Sequence, residues 1–335
     1  MIIYALKGVY MVTMKDIAEE AGVSRTTVSF VLNGRCNKDQ RVSKEVQKKV
    51  LDTAKRLGYM RNDLVLSMVK GRSQVVGIVS EFRDFSFPII RGYAQEAQNH
   101  GYSIRLFQVD GDLATQLSKA IQSRVDAIVC LGISNAIAEN VPEHFFNAGI
   151  PIVGLNRENT FQNSIFDQQK SSAAMVEYLV QCGYKKIICC GGNYPQMVLR
   201  EAGYREIMIK YQLEELCFNY NSVSPDDLID LKPDAIFCGD DYFACRLLQA
   251  AHRRNLRIPD AFGVAGFGNT NVSQFSSPAL TTVEEPFFES GVIGMKNVVS
   301  LLKNGNIPEH TPMVGELVIR ESTKNIELHN NRKKE

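Results

Sequence analysis

The sequence predicts two fold classes in one chain: an all-α head built on a helix-turn-helix, and behind it a larger α/β body of parallel sheets. Three observations carry this. Residues 14–32, MKDIAEEAGVSRTTVSFVL, place small and apolar side chains where two short helices crossing at a tight turn need them. From Val75 onward, apolar runs alternate with amphipathic stretches, as when helices cover both faces of parallel strands. The formal charge of +1 hides an uneven distribution: residues 14–72 hold 13 Lys and Arg against 7 Asp and Glu, residues 73–335 hold 24 against 30. A basic head on an acidic body suits attraction to backbone phosphates at one end.

In the first element Ala18 is small enough to let two helices touch, Gly22 can take the positive φ of an abrupt turn, and Ser24 can cap the helix that follows. Ile17, Val23, Val28 and Val31 supply a shared core. Arg25, Thr26, Thr27, Ser29 and Phe30 then fall on or near the outer face and N-terminal end of the second helix, the part of such a motif that meets base edges in the major groove. An ordinary helical hairpin inside a larger core is the alternative, and an AxxxG spacing alone would favour it. Agreement across the whole set of positions points to DNA instead.

Asn33 and Gly34 end that helix, and 35–41 reads as a loop with cations that reach phosphates. Ser43 opens a third helix whose buried stripe is Val46, Val50, Ala54 and Leu57, with Lys44, Lys48, Lys49, Lys55 and Arg56 mostly outside it and Gly58 as its stop. Residues 62–70, NDLVLSMVK, form an amphipathic stretch of barely two turns. Helix nucleation is costly, so this stretch is expected to fold only when something holds it. Residues 71–73 read as a linker.

In the body, VVGIVS, SIRLFQV, DAIVCLG, IPIVGL, KKIICCGG, DAIFCGD and FGVAGFG read as strands, with helices near 88–100, 113–123, 171–182, 198–211 and 242–254. Ligands of such sheets sit beyond the C-terminal strand ends. The candidates there are Phe85, Asn156, Arg157, Asp240, Asp241 and Asn269.

At 335 residues and 44% hydrophobic content, the chain can bury at least one sizeable core. Its eight cysteines form no CxxC pair, and several lie in apolar runs, so they read as core residues of a protein from a reducing compartment. His100, His144, His252, His310 and His329 lack zinc-type spacing. No metal and no cofactor are expected. The opening MIIYALKGVYMV is too short to span a membrane and has no signal-peptide cleavage pattern, so a cytoplasmic protein without membrane contact is expected, with Met11 or Met14 as the natural start. An enzyme would have to rest on the Asp240–Asp241 pair or on GGN after Cys190. Adjacent carboxylates diverge in direction, which suits one cleft residue and one helix cap, and GGNYP lacks the lysine and spacing of a phosphate loop. No catalytic residues are assigned.

From Met11 to about Thr323 the chain resembles the LacI/GalR family of bacterial transcription regulators. The resemblance is carried by VTMKDIAEEAGVSRTTVSFVLNG, VSKEVQKKVLDTAKRLGY and the later SPALTTV. It implies a helix-turn-helix domain over 11–61, a hinge helix and linker over 62–72, and over 73–328 a two-lobed effector-binding and dimerisation domain similar to type I periplasmic binding proteins. Its implied partners are double-stranded operator DNA, a sugar-like effector and a second copy of the chain. Dimers are favoured over tetramers because the tail IELHNNRKKE lacks leucine heptads. By position, Arg25, Thr26 and Phe30 correspond to base-reading residues, while Ser24, Thr27 and Asn33 serve phosphates or structure. Leu64 and Met68 fall in the minor-groove hinge, where Met68 replaces a leucine wedge, Leu66 an arginine and Arg61 a proline. Phe85, Asn156, Arg200, Tyr220 and Asp240 correspond to effector-binding positions. Gly268 stands where many sugar-responsive members carry an aspartate. The rival readings are a cytoplasmic sugar- or nucleoside-binding protein or enzyme, and a transport receptor. The basic head and the missing export signal weigh against the receptor.

Overall fold

The computed structural model describes residues 11–34, 42–60, 71–83, 85–133, 141–145, 147–154 and 165–325. The expectations at Leu64, Leu66, Met68, Arg61, Asn156, Arg157 and Cys36 lie outside the described residues. Contacts divide the chain into two units, Met1–Gly71 and Arg72–Glu335.

In the head, α1 (Met14–Ala21), α2 (Arg25–Leu32) and α3 (Lys44–Leu57) enclose one small core of Ile17, Ala18, Ala21, Val28, Val31, Val50 and Ala54. Helices this short are marginal alone, so their caps matter. Thr13 caps α1 in a reciprocal box, its amide donating to Asp16 Oδ2 at 2.7 Å. Gly22 ends α1 with φ +66°, its N–H reaching Glu19 O while Val23 N reaches Ala18 O. A Schellman turn of this kind needs a residue comfortable in the left-handed region. Ser24 then caps α2 by accepting from Thr27 N at 3.0 Å. Val23, Val46 and Leu57, expected in the core, are partly buried against it.

The body holds two four-stranded parallel sheets built on the same plan. The first contains β1 (Val75–Ser80), β2 (Ser103–Gln108), β3 (Ala127–Leu131) and β4 (Ile152–Val153) in the order β2-β1-β3-β4. It is joined by α4 (Ser86–Asn99) and α5 (Leu113–Gln122). The second contains β5 (Ile187–Gly191), β6 (Leu216–Asn219), β7 (Ala235–Cys238) and β8 (Gly263–Ala265) in the order β6-β5-β7-β8. Its helices are α6 (Gln168–Gln181), α7 (Pro195–Lys210), α8 (Pro225–Asp230), α9 (Asp241–Arg253) and α10 (Asn271–Phe275). The register runs Val76 opposite Ala127 in the first sheet and Ile187 opposite Ala235 in the second. Central strands β1, β3, β5 and β7 are buried almost throughout, as their unbroken apolar runs require. SIRLFQV, expected as a covered strand, is an edge strand paired only to β1, in which Phe107 and Val109 are buried and the rest is half-buried or exposed. IPIVGL contributes just two strand residues.

The chain then changes lobes. After β9 (Thr282–Glu284), α11 (Phe287–Asn304) returns to the first lobe, where Met295, Val298 and Val299 join the core with Val76, Ile78 and Tyr93. β10 (Glu316–Val318) pairs antiparallel with β9, and Ser322 and Lys324 bond into the second lobe. Two crossing segments run side by side, Asp167 N donating to Met313 O and Met313 N to Ile165 O, each at 2.8 Å. The seven described cysteines are free thiols. Among the described residues no helix is long and apolar enough to cross a membrane, and no group of His, Cys, Asp and Glu is placed to hold a metal.

The contact between α4 and α11 depends on bare backbone at Gly291, where an added Cβ would lie 2.0 Å from Ile89 O. Overpacking of a tight helix contact typically costs about 1–3 kcal/mol. Gly291→Ala is therefore expected to lower the urea midpoint of the full-length protein by that equivalent at unchanged slope, and an unaltered midpoint would mean that the helices have room to part.

Candidate functional site

Two regions gather the side chains singled out in the sequence. The first is the outer face of α2. Arg25 and Thr26 are exposed at its N-terminal end, and no side-chain cap of the helix draws on either. The other residues there are more committed. Ser24 and Thr27 hydroxyls lie 2.9 Å apart in the cap, and Asn33 Nδ2 donates to Ser29 Oγ at 3.1 Å. Phe30 half-buries against the head core beside Val28 and Val31 instead of standing free on the outer face. The amides of the first turn have no helical partners, so the end of α2 offers donors as well as the Arg25 cation.

The second region follows from topology. In both sheets the connections run one way from the first strand and then reverse, which opens a crevice at the C-terminal ends of β1 and β3, and of β5 and β7. On the first lobe this edge carries Glu81, Arg83 and Phe85. Glu81 Oε2 accepts from Arg83 Nη2 at 2.7 Å, while Glu81 Oε1 is buried without a partner among the described residues. Phe85 stacks on Phe287 with ring centroids 6.0 Å apart, and the ring lies against Gly132 at the end of β3.

On the second lobe the edge carries Tyr194, Tyr220, Asp240 and Asp241. Asp240 caps α9 through Oδ1, which accepts from Phe243 N at 2.8 Å, and its charge lies close enough to the Tyr220 phenol to help burial push it up. Tyr220 also stacks on Phe243 at 4.9 Å. Burial pushes the Tyr220 and Tyr194 phenols up, so both stay protonated donors. Asp241 turns the other way into the core, where Thr270 N, Thr270 Oγ1 and Thr282 Oγ1 donate to it at 2.6, 2.9 and 2.6 Å. Burial raises its carboxyl above the usual range despite these donors. The pair divides as its adjacency implied, though the helix cap and the cleft-edge residue are one and the same, Asp240. Asn269, another strand-end candidate, bonds to Arg320 Nη2 at 2.7 Å.

Arg200, from the second turn of α7, is the most enclosed cation among the described residues of the body, at 6% exposure. Its Nε donates to Gln168 Oε1 at 2.7 Å, Nη1 to Gly239 O at 2.5 Å and Nη2 to Glu285 Oε2 at 2.8 Å. Gln168 Nε2 closes the ring by donating to Glu285 Oε1 at 3.1 Å. The Phe267 ring covers the guanidinium 3.7 Å from its carbon, a cation–π arrangement. Burial pushes the Glu285 carboxyl up, and Arg200 and Gln168 pull it back. Gln168 and Glu285 stand at the segments that cross between lobes, so Arg200 fastens both crossings to the edge of β7. Gly268 takes φ +124°, which strains any side chain, and an added Cβ would lie 3.6 Å from Asp241 Oδ2 and 3.7 Å from Phe287. An aspartate there would face a buried carboxylate.

The structure thus brings Arg200, Asp240 and Tyr220 to one edge, and connects Phe85 to it through Phe287. Sequence reasoning missed Glu285, Gln168, Phe287, Tyr194, Glu81 and Arg83. The strand-end rule applied to VVGIVS reaches Glu81 and Arg83, but nothing local marks Glu285 or Gln168, whose partners lie 85 and 32 residues away.

Comparison with known proteins finds matches to both parts of the chain. Residues 13–62 match the bacterial regulatory proteins of the lacI family, and residues 176–323 match the periplasmic binding protein-like domain. The chain is 27% identical over 317 residues to catabolite control protein A of Staphylococcus xylosus, covering 89% of this chain and 94% of that protein. It is 28% identical over 339 residues to the HTH-type transcriptional repressor CytR of Escherichia coli, covering 93% and 96%. In fold it is similar to the lac repressor dimer bound to operator and the anti-inducer ONPF, with a TM-score of 0.77, 21% identity and coverage of 94% and 100%.

Removing one partner of a buried ion pair leaves an uncompensated charge, at a cost of about 3–5 kcal/mol, whereas replacing both is often near neutral. Arg200→Ala is expected to lose stability on that scale in urea unfolding, and Arg200→Met combined with Glu285→Gln clearly less. Equal losses would show that the two side chains do not depend on each other.

Proposed function

The chain belongs to the LacI family of bacterial regulatory proteins, and on that premise we propose that it is a sequence-specific DNA-binding transcriptional repressor whose hold on an operator is set by a small molecule in the body. The observation that carries the reading is the outer face of α2: Arg25 and Thr26 exposed at the end of a helix whose other face is locked into a core. In this reading Arg25 donates both arms of its guanidinium to guanine O6 and N7, Thr26 meets a base or a thymine methyl, and Phe30 makes an apolar contact with its exposed edge. Ser24, Thr27 and Asn33 lie along the phosphates, helped by the free amides of α2. Leu64 and Met68 act in the minor groove, Met68 as an apolar wedge between central base pairs. The similar lac repressor structure is a dimer on operator, and the same stoichiometry is proposed here, with the chain divided into 11–61, 62–72 and 73–328 and located in the cytoplasm.

The small molecule is assigned to the cleft edged by Phe85, Arg200, Tyr220 and Asp240, with Asn156 proposed as a further contact by its position in the sequence. A sugar-like ligand suits this set, because aromatic faces take the apolar side of a ring while Asp240 and the phenols exchange hydrogen bonds with hydroxyls. A ligand with different affinity for two lobe arrangements shifts the balance between them, and with it the hold on DNA.

Selection from random duplexes at moderate salt, with and without sugars, tests the DNA reading: a single enriched, pseudo-palindromic motif is expected. Arg25→Ala should then cost roughly 1–3 kcal/mol at one symmetric base position and relax the preference there. A uniform loss at all positions would make Arg25 a phosphate contact.

A further inference from the structure

The cleft reading leaves open what charge its ligand carries, and the arrangement around Arg200 bears on this. A buried guanidinium at a ligand cleft is ordinarily a site for carboxylates and phosphates, since its fork matches their oxygens. Here a carboxylate of the chain already takes that place. Glu285 Oε2 sits 2.8 Å from Arg200 Nη2, Gln168 bridges the pair on one side, Gly239 O takes Nη1, and Phe267 covers a face. Both side chains of the ion pair are largely withdrawn from water, at 7% and 15% exposure, so the attraction is little screened. An incoming anion would have to displace Glu285, leaving a second carboxylate uncompensated beside it.

The surrounding charges add to the barrier. Glu81 and Arg83 neutralise each other, and so do Arg200 and Glu285. Asp240, at the cleft edge, and Asp241, behind it, have no cationic partner among the ion pairs of the described residues. Among the described residues at the cleft edge, Asp240 therefore leaves an excess of negative charge.

We infer that Glu285 is a built-in counter-ion that sets the charge class of the ligand: by occupying Arg200 it closes the cleft to carboxylates and phosphates and reserves it for uncharged molecules. This rests on the cleft being the ligand site. In that role Arg200 and Glu285 face a neutral ligand as a combined donor and acceptor, which a polyhydroxy compound can use and an anion cannot.

The test is a thermal-shift comparison of full-length wild type, Glu285→Gln, and Glu285→Gln with Arg200→Lys. Each is measured with D-glucose, D-galactose, their uronic acids and their 6-phosphates, against sodium chloride at matched ionic strength. Glutamine keeps the size of the side chain and an acceptor for Arg200 while removing the charge, and circular dichroism reports whether each variant folds. Wild type should be stabilised by no acidic compound. Glu285→Gln should gain a rise of roughly 2–4 °C or more with at least one acid or phosphate, and the double variant should lose it. A wild-type shift with any acidic compound above the chloride control would overturn the inference, whether or not the variants fold. So would a folded Glu285→Gln that gains no response to any of them. Failure of the regulatory reading looks different: operator affinity would then ignore every ligand while these shifts remained as stated.

Discussion

One guanidinium organises the body of this protein. Arg200 reaches the start of α6 through Gln168, the edge of β7 through Gly239 O and the crossing into α11 through Glu285, with Phe267 beneath it. Burying a charge is tolerable only when partners replace the lost water, and here each group of the guanidinium has one. The consequence is mechanical as well as electrostatic. Segments that join the lobes are fastened to the helix and strand end that border the cleft, so a ligand that disturbs this ring acts on the crossings directly. A change of lobe arrangement then has a defined physical origin in contacts made differently in two states.

The head answers to a separate constraint. Its core is small, its helices are two to four turns long, and it is held together by caps and by left-handed turns at Gly22 and Gly58. Such a unit leaves the N-terminal end of α2 projecting with fixed geometry, which is what reading base edges demands. Regulation of the kind proposed therefore requires no change within the head itself. What has to change is the free energy of presenting the head to a duplex, and a coupling of about 1–3 kcal/mol, five- to 150-fold in affinity, is typical of such linkage.

Most of the framework was legible in the residues, because it depends on local pattern. The positions of Ala18, Gly22 and Ser24 identify the turn, and four of the seven apolar runs form the central strands, buried almost throughout. α11 escaped because FFESGVIGMKNVVSLLKN carries two glycines that lower its helical signal, yet Gly291 is what allows α11 to touch α4. β6 lies in a short, half-exposed edge strand with no long apolar run. At the cleft, Asp240 and Arg200 could be placed from position, but their bonding could not. Glu285 reads as one of two adjacent acids in TTVEEPF, and only the crossing of the chain brings it to Arg200. Phe30 shows the same limit on a smaller scale: a residue placed on the outer face by helical phase still leaned into the core.

Binding reciprocity tests most directly the claim that a cleft ligand and a duplex compete for, or share, one state of the body. The affinity of full-length protein for its selected operator is measured by titration at fixed salt with and without saturating ligand, and the affinity for that ligand is measured with and without saturating operator. Linked sites require the same factor in both directions, at least about fivefold. Two unchanged affinities, with both partners shown to be bound at once, would contradict it.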